Sequence, residues 1–139
     1  MNQSHPDPHF DPWVNLLQGY ITALSAALAG QGARIERSWL DPRDPRDATI
    51  TYSSAATPGE LRALVWDEVT GCRTGRFVSG RQGVRTELTD AVYLGGGVLV
   101  EPREVAARLA TGVTAPRRTF RSYDDVRDGL DDALRRYAG

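Results

Sequence analysis

Few side chains in this sequence can do chemistry, and their spacing decides what each can do. Asp67 and Glu68 are adjacent carboxylates, the kind of pair that general acid–base catalysis uses. On a strand, successive side chains point to opposite faces, so the two cannot share one proton without a bulge. Charge pairing with Arg73 or Arg76 at a hairpin end is the expected role. Gly95-Gly96-Gly97 lies ahead of a helix opened by Glu101-Pro102, where glycine amides could cradle a phosphate. The run lacks the Gly-Lys-Ser/Thr ending of a P-loop and the spacing of a dinucleotide fingerprint. A tight chain reversal is therefore expected there, with a ligand-contacting loop as the alternative. His5 and His9, the only histidines, sit in a Pro-rich N-terminal stretch, where a metal clip with Asp7 would lack a fixed geometry. Cys72 stands alone and is expected to fill core space rather than act as a nucleophile. Asp41, Asp44 and Asp47 offer hard oxygens, but not at EF-hand spacing, and Arg43 and Arg46 offset their charge. No catalytic residue, metal or cofactor is expected.

The basic and aromatic residues point to binding instead. Arg73, Arg76, Arg81 and Arg85 cluster around one predicted hairpin. Such a run is ordinarily a solvated edge that discourages edge pairing; converging on one face, it would suit an acidic partner or a phosphate backbone. Trp13, Trp39 and Trp66 are expected to be packing residues. If one sheet face were left uncovered, Leu64, Trp66, Arg73, Arg76 and Phe77 would form the aromatic and Arg-rich patch that interface hot spots favour. All 17 basic residues are Arg, which suggests a high-GC coding sequence. The formal net charge of −1 provides no general attraction to nucleic acid or to an anionic membrane.

The elements that must position these residues follow from periodicity. Residues 1–10 are polar and Pro-rich, a predicted flexible tail, and residues 11–139 fit a single domain. Asp11 is an N-cap with Pro12 at the first helical position, and Val14, Leu17, Ile21, Leu24 and Leu28 repeat at helical steps until Gly30 and Gly32. Strands are predicted over 33–40, 48–53, 60–69 and 72–79, with a further short strand at 84–88 or 92–94. The repeat Asp41-Pro42-Arg43-Asp44-Pro45-Arg46-Asp47 carries two prolines and is expected to be a surface turn. Pro102 to Gly112 encloses a short helix, and Ser122 with Asp125 resembles a capping box ahead of Val126, Leu130, Ala133, Leu134 and Tyr137. The fold class is α+β: an N-terminal helix, a four- to five-stranded and mainly antiparallel sheet, and two C-terminal helices.

Val65-Trp66-Asp67-Glu68, the Thr70-Gly71 turn, Tyr93-Leu94-Gly95-Gly96-Gly97-Val98 and the helix beginning Glu101-Pro102-Arg103-Glu104-Val105-Ala106 resemble an uncharacterised family of small actinobacterial proteins that carry a domain of unknown function. A weaker likeness links Val98 to Pro116 with the C-terminal part of bacterial toxin-immunity proteins, and the element order is similar to secretion chaperones. The family brings no known activity with it, and the sheet face or edge formed by residues 60–79 points to a non-enzymatic, protein-binding module, with an immunity-like or chaperone-like module as its specific form. Its partner is expected to be another protein, with a second copy of the chain as a further candidate and nucleic acid disfavoured. The alternative is a small-ligand-binding protein or enzyme with a pocket beneath the Gly95–Val98 loop. One cysteine, no apolar run of about 20 residues and no apolar leader point to a soluble cytoplasmic protein without a membrane span.

Overall fold

The computed structural model describes residues 6, 9, 11–41, 45–55, 57–122 and 127–137. Its centre is a five-stranded antiparallel meander, β1 (Arg34–Asp41), β2 (Asp47–Ser53), β3 (Arg62–Asp67), β4 (Gly71–Arg81) and β5 (Val84–Tyr93), paired in sequence order. One face is covered by α1 (Pro12–Asn15), α2 (Gln18–Gly30), α3 (Pro102–Thr111) and α4 (Leu130–Arg135). The N-terminal helix is bent rather than continuous. Leu17 N–H bonds the Val14 carbonyl, a tightened turn that lets Val14 and Leu17 join Tyr20, Ile21 and Leu24 in the core. Asp11 caps α1 as expected, accepting from the Trp13 N–H at 2.9 Å.

Two short segments at the N-terminus are held against this helix. Pro6 is buried and its carbonyl accepts from Gln18 Nε2 at 3.0 Å, while His9 Nδ1 accepts from the Asp11 N–H at 2.9 Å. His9 thus serves the helix start, and His5 and Asp7 lie outside the described residues. At the other end, α4 begins only at Leu130, behind Gly129 in the left-handed conformation. The capping box expected from Ser122 and Asp125 falls largely outside the described residues.

Period-2 alternation on the strands sends Leu40, Ala48, Ile50, Tyr52, Leu64, Trp66 and Cys72 toward the helices. Tyr20 stands edge-on to Trp66, with ring centroids 6.1 Å apart, and to Tyr137 at 5.0 Å; its hydroxyl donates to the Val100 carbonyl. Trp66 Nε1 donates to the Val98 carbonyl at 2.6 Å. The extended segment after the Gly-rich run is therefore stapled to the core at two points.

The opposite face is covered too, by the chain's own β4–β5 hairpin. Trp39, Ala63, Val65 and Thr49 are all buried although none belongs to the helix-side core. Phe77 packs edge-on to Trp39 at 6.2 Å, the Thr86 and Thr49 hydroxyls meet at 2.6 Å, and Arg85 reaches Asp47 at 2.5 Å. Strands β2 and β5 are not neighbours in the sheet, so these contacts require it to coil back on itself. Register shifts in β4 and β5 between Thr74 and Arg76 and again between Phe77 and Ser79 supply the extra twist. The β3–β4 turn closes on Gly71, whose φ of +79° suits glycine and whose missing Cβ leaves room for the Gly97 carbonyl.

Candidate functional site

The two groups of residues singled out by sequence fare differently. Leu64 and Trp66 are buried beneath the helices, 1 % exposed each. Arg73 and Phe77 belong to the opposite face, where Arg73 pairs with Asp67 at 2.9 Å and Phe77 with Trp39. Arg76 is exposed and pairs with Glu60 at 3.0 Å. The five residues are divided between two faces, and no shared surface presents them. The physical reason is the coverage of both faces, by helices on one side and the hairpin on the other. Of the four hairpin arginines, Arg73, Arg76 and Arg85 are each held by a carboxylate, and Arg81 is exposed.

Gly95, Gly96 and Gly97 all have positive φ and form the tight chain reversal. A side chain on Gly95 would meet Ala115 and one on Gly96 would meet Val100 and Arg108, so the loop is packed against the rest of the chain. Asp67 pairs with Arg73 as expected and also accepts from the Val69 and Thr70 N–H groups. Glu68 departs from expectation: buried, it bonds Arg46 at 2.9 Å and Arg121 at 3.0 Å rather than Arg73 or Arg76. Arg46 correspondingly is not in a surface turn but 1 % exposed. Cys72 is buried, and burial pushes its thiol up to about 12, away from nucleophilic use.

Asp41, Asp47 and Asp67 do meet, on one cross-strand row of the hairpin-covered face. Among the described residues no group of His, Cys, Asp and Glu is arranged to hold a metal ion, and Asp44 lies outside them. Burial, and next the charge of Asp41, push the Asp47 carboxyl up to about 7 against the opposing pull of Arg85 and Arg73. A carboxyl with a raised folded pKa holds its proton more tightly folded than unfolded. Its stabilising contribution is complete below the ordinary carboxylate range and is lost as pH rises toward 7. The melting temperature of the wild type relative to Asp47→Asn should therefore fall between pH 4 and 8, by at most the equivalent of about 4 kcal/mol, and flatten above. A pH-independent difference in differential scanning fluorimetry would contradict this assignment.

At the other end of the sheet, where α2 and α3 finish, the helices leave a cleft of about 500 Å3. Leu28 from α2, Leu109 from α3, and Val92 and Leu94 after β4 provide apolar walls. Its polar lining is an ordered chain of hydroxyls. Thr74 Oγ1 donates to the Ala63 carbonyl at 2.9 Å, which commits its only proton. The Tyr52 hydroxyl, 3.0 Å from Thr74 Oγ1, must then be the donor of that pair. Arg62 is held by Glu60 at 2.6 Å. On the α3 wall, Arg108 bonds Glu104 at 2.9 Å and the Leu94 carbonyl at 2.8 Å.

Sequence reasoning missed Arg62, Thr74 and Arg108 as site residues and placed Tyr52 only in the core. The available signal was Thr74, a hydroxyl at a helix-facing position two residues from Cys72, in the cross-strand row of Leu64 and Ile50 and so next to the equally helix-facing Tyr52 two strands away. Buried hydroxyls at such positions need partners, and so mark a polar spot on an otherwise apolar floor.

A second groove, of about 730 Å3, runs between α2 and α3 and is lined mainly by Ala23, Ala26, Ala27 and Gly30. Gln31, Glu101, Arg103 and Tyr137 supply its polar lining. No described helix is long and apolar enough to cross a membrane. No curated protein and no solved structure matches this chain. Residues 20–111, from the middle of the bent helix through the last residue of α3, do match a known family. The matched segment contains all five strands and nearly every residue of the cleft, and by it the chain belongs to the family of unknown function DUF6292.

Proposed function

We propose that the protein is a non-enzymatic binding module that takes a small, partly apolar organic molecule in the cleft at the α2–α3 end of the sheet. The carrying observation is the combination of leucine and valine walls with a hydroxyl chain, Tyr52 to Thr74 to the Ala63 carbonyl, and with Arg62 and Arg108 in the lining. Binding sites for small molecules commonly join an apolar lining to a few fixed polar groups. The lone buried thiol suits a reducing cytoplasm, and the Lys-free composition suits an actinobacterial source.

A thermal-shift screen of small organic compounds grouped by chemical class tests this reading, run in parallel on an Ala110→Trp variant. Ala110 is exposed on the cleft wall, so the indole should fill the cleft without entering the core. A ligand at a hundredfold excess over its Kd adds about 2.7 kcal/mol, a rise of several degrees in Tm. Compounds that stabilise the wild type and not the variant support the reading. An absence of stabilising compounds, or equal stabilisation of both proteins, overturns it.

The second reading, a protein-binding module of immunity-like or chaperone-like type, is favoured by one observation. Strand β5 is an edge of the sheet, bridged outside it among the described residues only at Tyr93 to Ala115, and exposes Val84 and Val92. An extended segment of a partner protein, or β5 of a second copy, could pair there. Retention of a partner from the native cytoplasm by the wild type, lost on Val84→Pro, would move this reading ahead.

A further inference from the structure

We propose that the ligand of the cleft is a compact organic monocarboxylate, its acid group taken by guanidinium donors of Arg62 and Arg108 and its apolar body lying against Leu28, Leu94 and Leu109. This rests on the reading of the cleft as the binding site. The charged residues that line the cleft are Arg62 and Arg108, whereas their carboxylate partners Glu60 and Glu104 do not line it. The accounting of donors points the same way. The Thr74 and Tyr52 protons are committed within the hydroxyl chain, and Ser54 and Thr57 bond each other at 3.3 Å. A guanidinium carries five N–H groups. Arg62 directs a bond to Glu60, and Arg108 directs its own to Glu104 and the Leu94 carbonyl, so each retains N–H groups. Gln31 and Thr114 also line the cleft with neutral donors, so its cationic donors are Arg62 and Arg108, which suit an accepting, anionic group on the ligand.

Charge and volume narrow the class further. Glu60 and Glu104 already offset part of the guanidinium charge, which suits a monoanion better than a phosphate dianion. A cleft of about 500 Å3 with branched aliphatic walls suits a body the size of a leucine or phenylalanine side chain. Two sources share this chemistry, a free organic acid and the C-terminal carboxylate of a peptide ending in an apolar residue.

Isothermal titration of phenylacetate, 4-methylpentanoate, their primary amides and N-acetyl-Ala-Leu tests the proposal. The titrations use the full chain as wild type, Arg62→Gln, Arg62→Lys, Ala110→Trp and Val113→Trp. The acids should bind the wild type at least about tenfold more tightly than the amides, as expected for a charge-assisted hydrogen bond. Arg62→Gln should bring the acids to the level of the amides, Arg62→Lys should retain part of the preference, and both Trp variants should abolish binding while melting normally. A peptide that binds more tightly than the free acids would place the source in a chain terminus; the reverse order would place it in a free acid. Amides that bind as well as acids and are lost in the Trp variants overturn the carboxylate and leave the cleft standing. No binding by any probe, or binding indifferent to both Trp variants, overturns the carboxylate and the cleft together.

Discussion

Replacing Arg46 with alanine is expected to lower the stability of the protein by about 3–5 kcal/mol, a large part of the 5–15 kcal/mol that holds a domain folded. The Arg46 side chain is 1 % exposed and ties together four separate parts of the chain. Its guanidinium lies 4.0 Å from the centre of the Trp13 ring and donates to the Trp13 carbonyl at 3.0 Å, to Glu68 at 2.9 Å and to Asp131 at 2.7 Å. The alanine variant strands Glu68, which is fully buried and keeps only Arg121 and the Arg46 backbone N–H. Leaving one member of a buried ion pair without its partner costs more than the pair contributes, because the remaining charge stays desolvated. Arg46 Nε is itself buried without an acceptor, which limits the net gain from the intact network. Adding Glu68→Gln to Arg46→Ala should therefore cost much less than the sum of the two single changes. Urea titration of the two single variants and the double variant, with Cm compared at constant m, gives the coupling directly. An Arg46→Ala midpoint within error of the wild type would contradict the buried network.

The same residue shows where sequence reasoning stops. Two prolines ahead of Arg46 exclude helix and central strand, and Arg46 does lie between β1 and β2, outside any regular element. Local pattern cannot reveal that α1 and α4 close over Arg46, since Trp13 and Asp131 are 33 and 85 residues away in sequence. Elements set by nearby residues were legible: Asp11 and Pro12 opening α1, Pro102 and Gly112 bounding α3, and the alternation of Ala48, Ile50 and Tyr52 along β2. The coil of the β4–β5 hairpin was not. Its strands are mostly half-buried or exposed, and the residues that anchor it, Arg85 and Thr86, look like ordinary solvent-facing positions. Without that coil, one face of the sheet seems open, and a patch of Leu64, Trp66, Arg73, Arg76 and Phe77 follows logically. The cleft was hidden for a related reason. Its floor residues Tyr52 and Thr74 follow the period-2 rule, but its depth comes from where α2 and α3 end relative to the sheet, which no short window of sequence encodes.

Trp66→Ala is expected to be the most damaging single truncation in the core, at about 3–5 kcal/mol. The indole is 1 % exposed at the centre of the helix-side layer, edge-on to Tyr20, and its removal leaves a void between β3 and α2. The loss includes the bond from Nε1 to the Val98 carbonyl at 2.6 Å, which holds the segment between the Gly-rich reversal and α3. Trp66→Phe keeps an aromatic body and gives up that bond and part of the volume, so about 1–3 kcal/mol is expected. The order of the two variants in thermal and urea denaturation separates the roles this residue could have. A surface hot spot would tolerate alanine with an unchanged midpoint and lose only a partner. A core residue bonded to Val98 loses stability in both variants, more in alanine, and the Phe variant should loosen the Val98–Val100 segment in hydrogen exchange before the sheet. Unchanged midpoints in both would take Trp66 out of the core and restore the sheet face as a docking surface; the graded loss expected here would mean that any failure of Trp66→Ala to hold a partner reports unfolding and not contact.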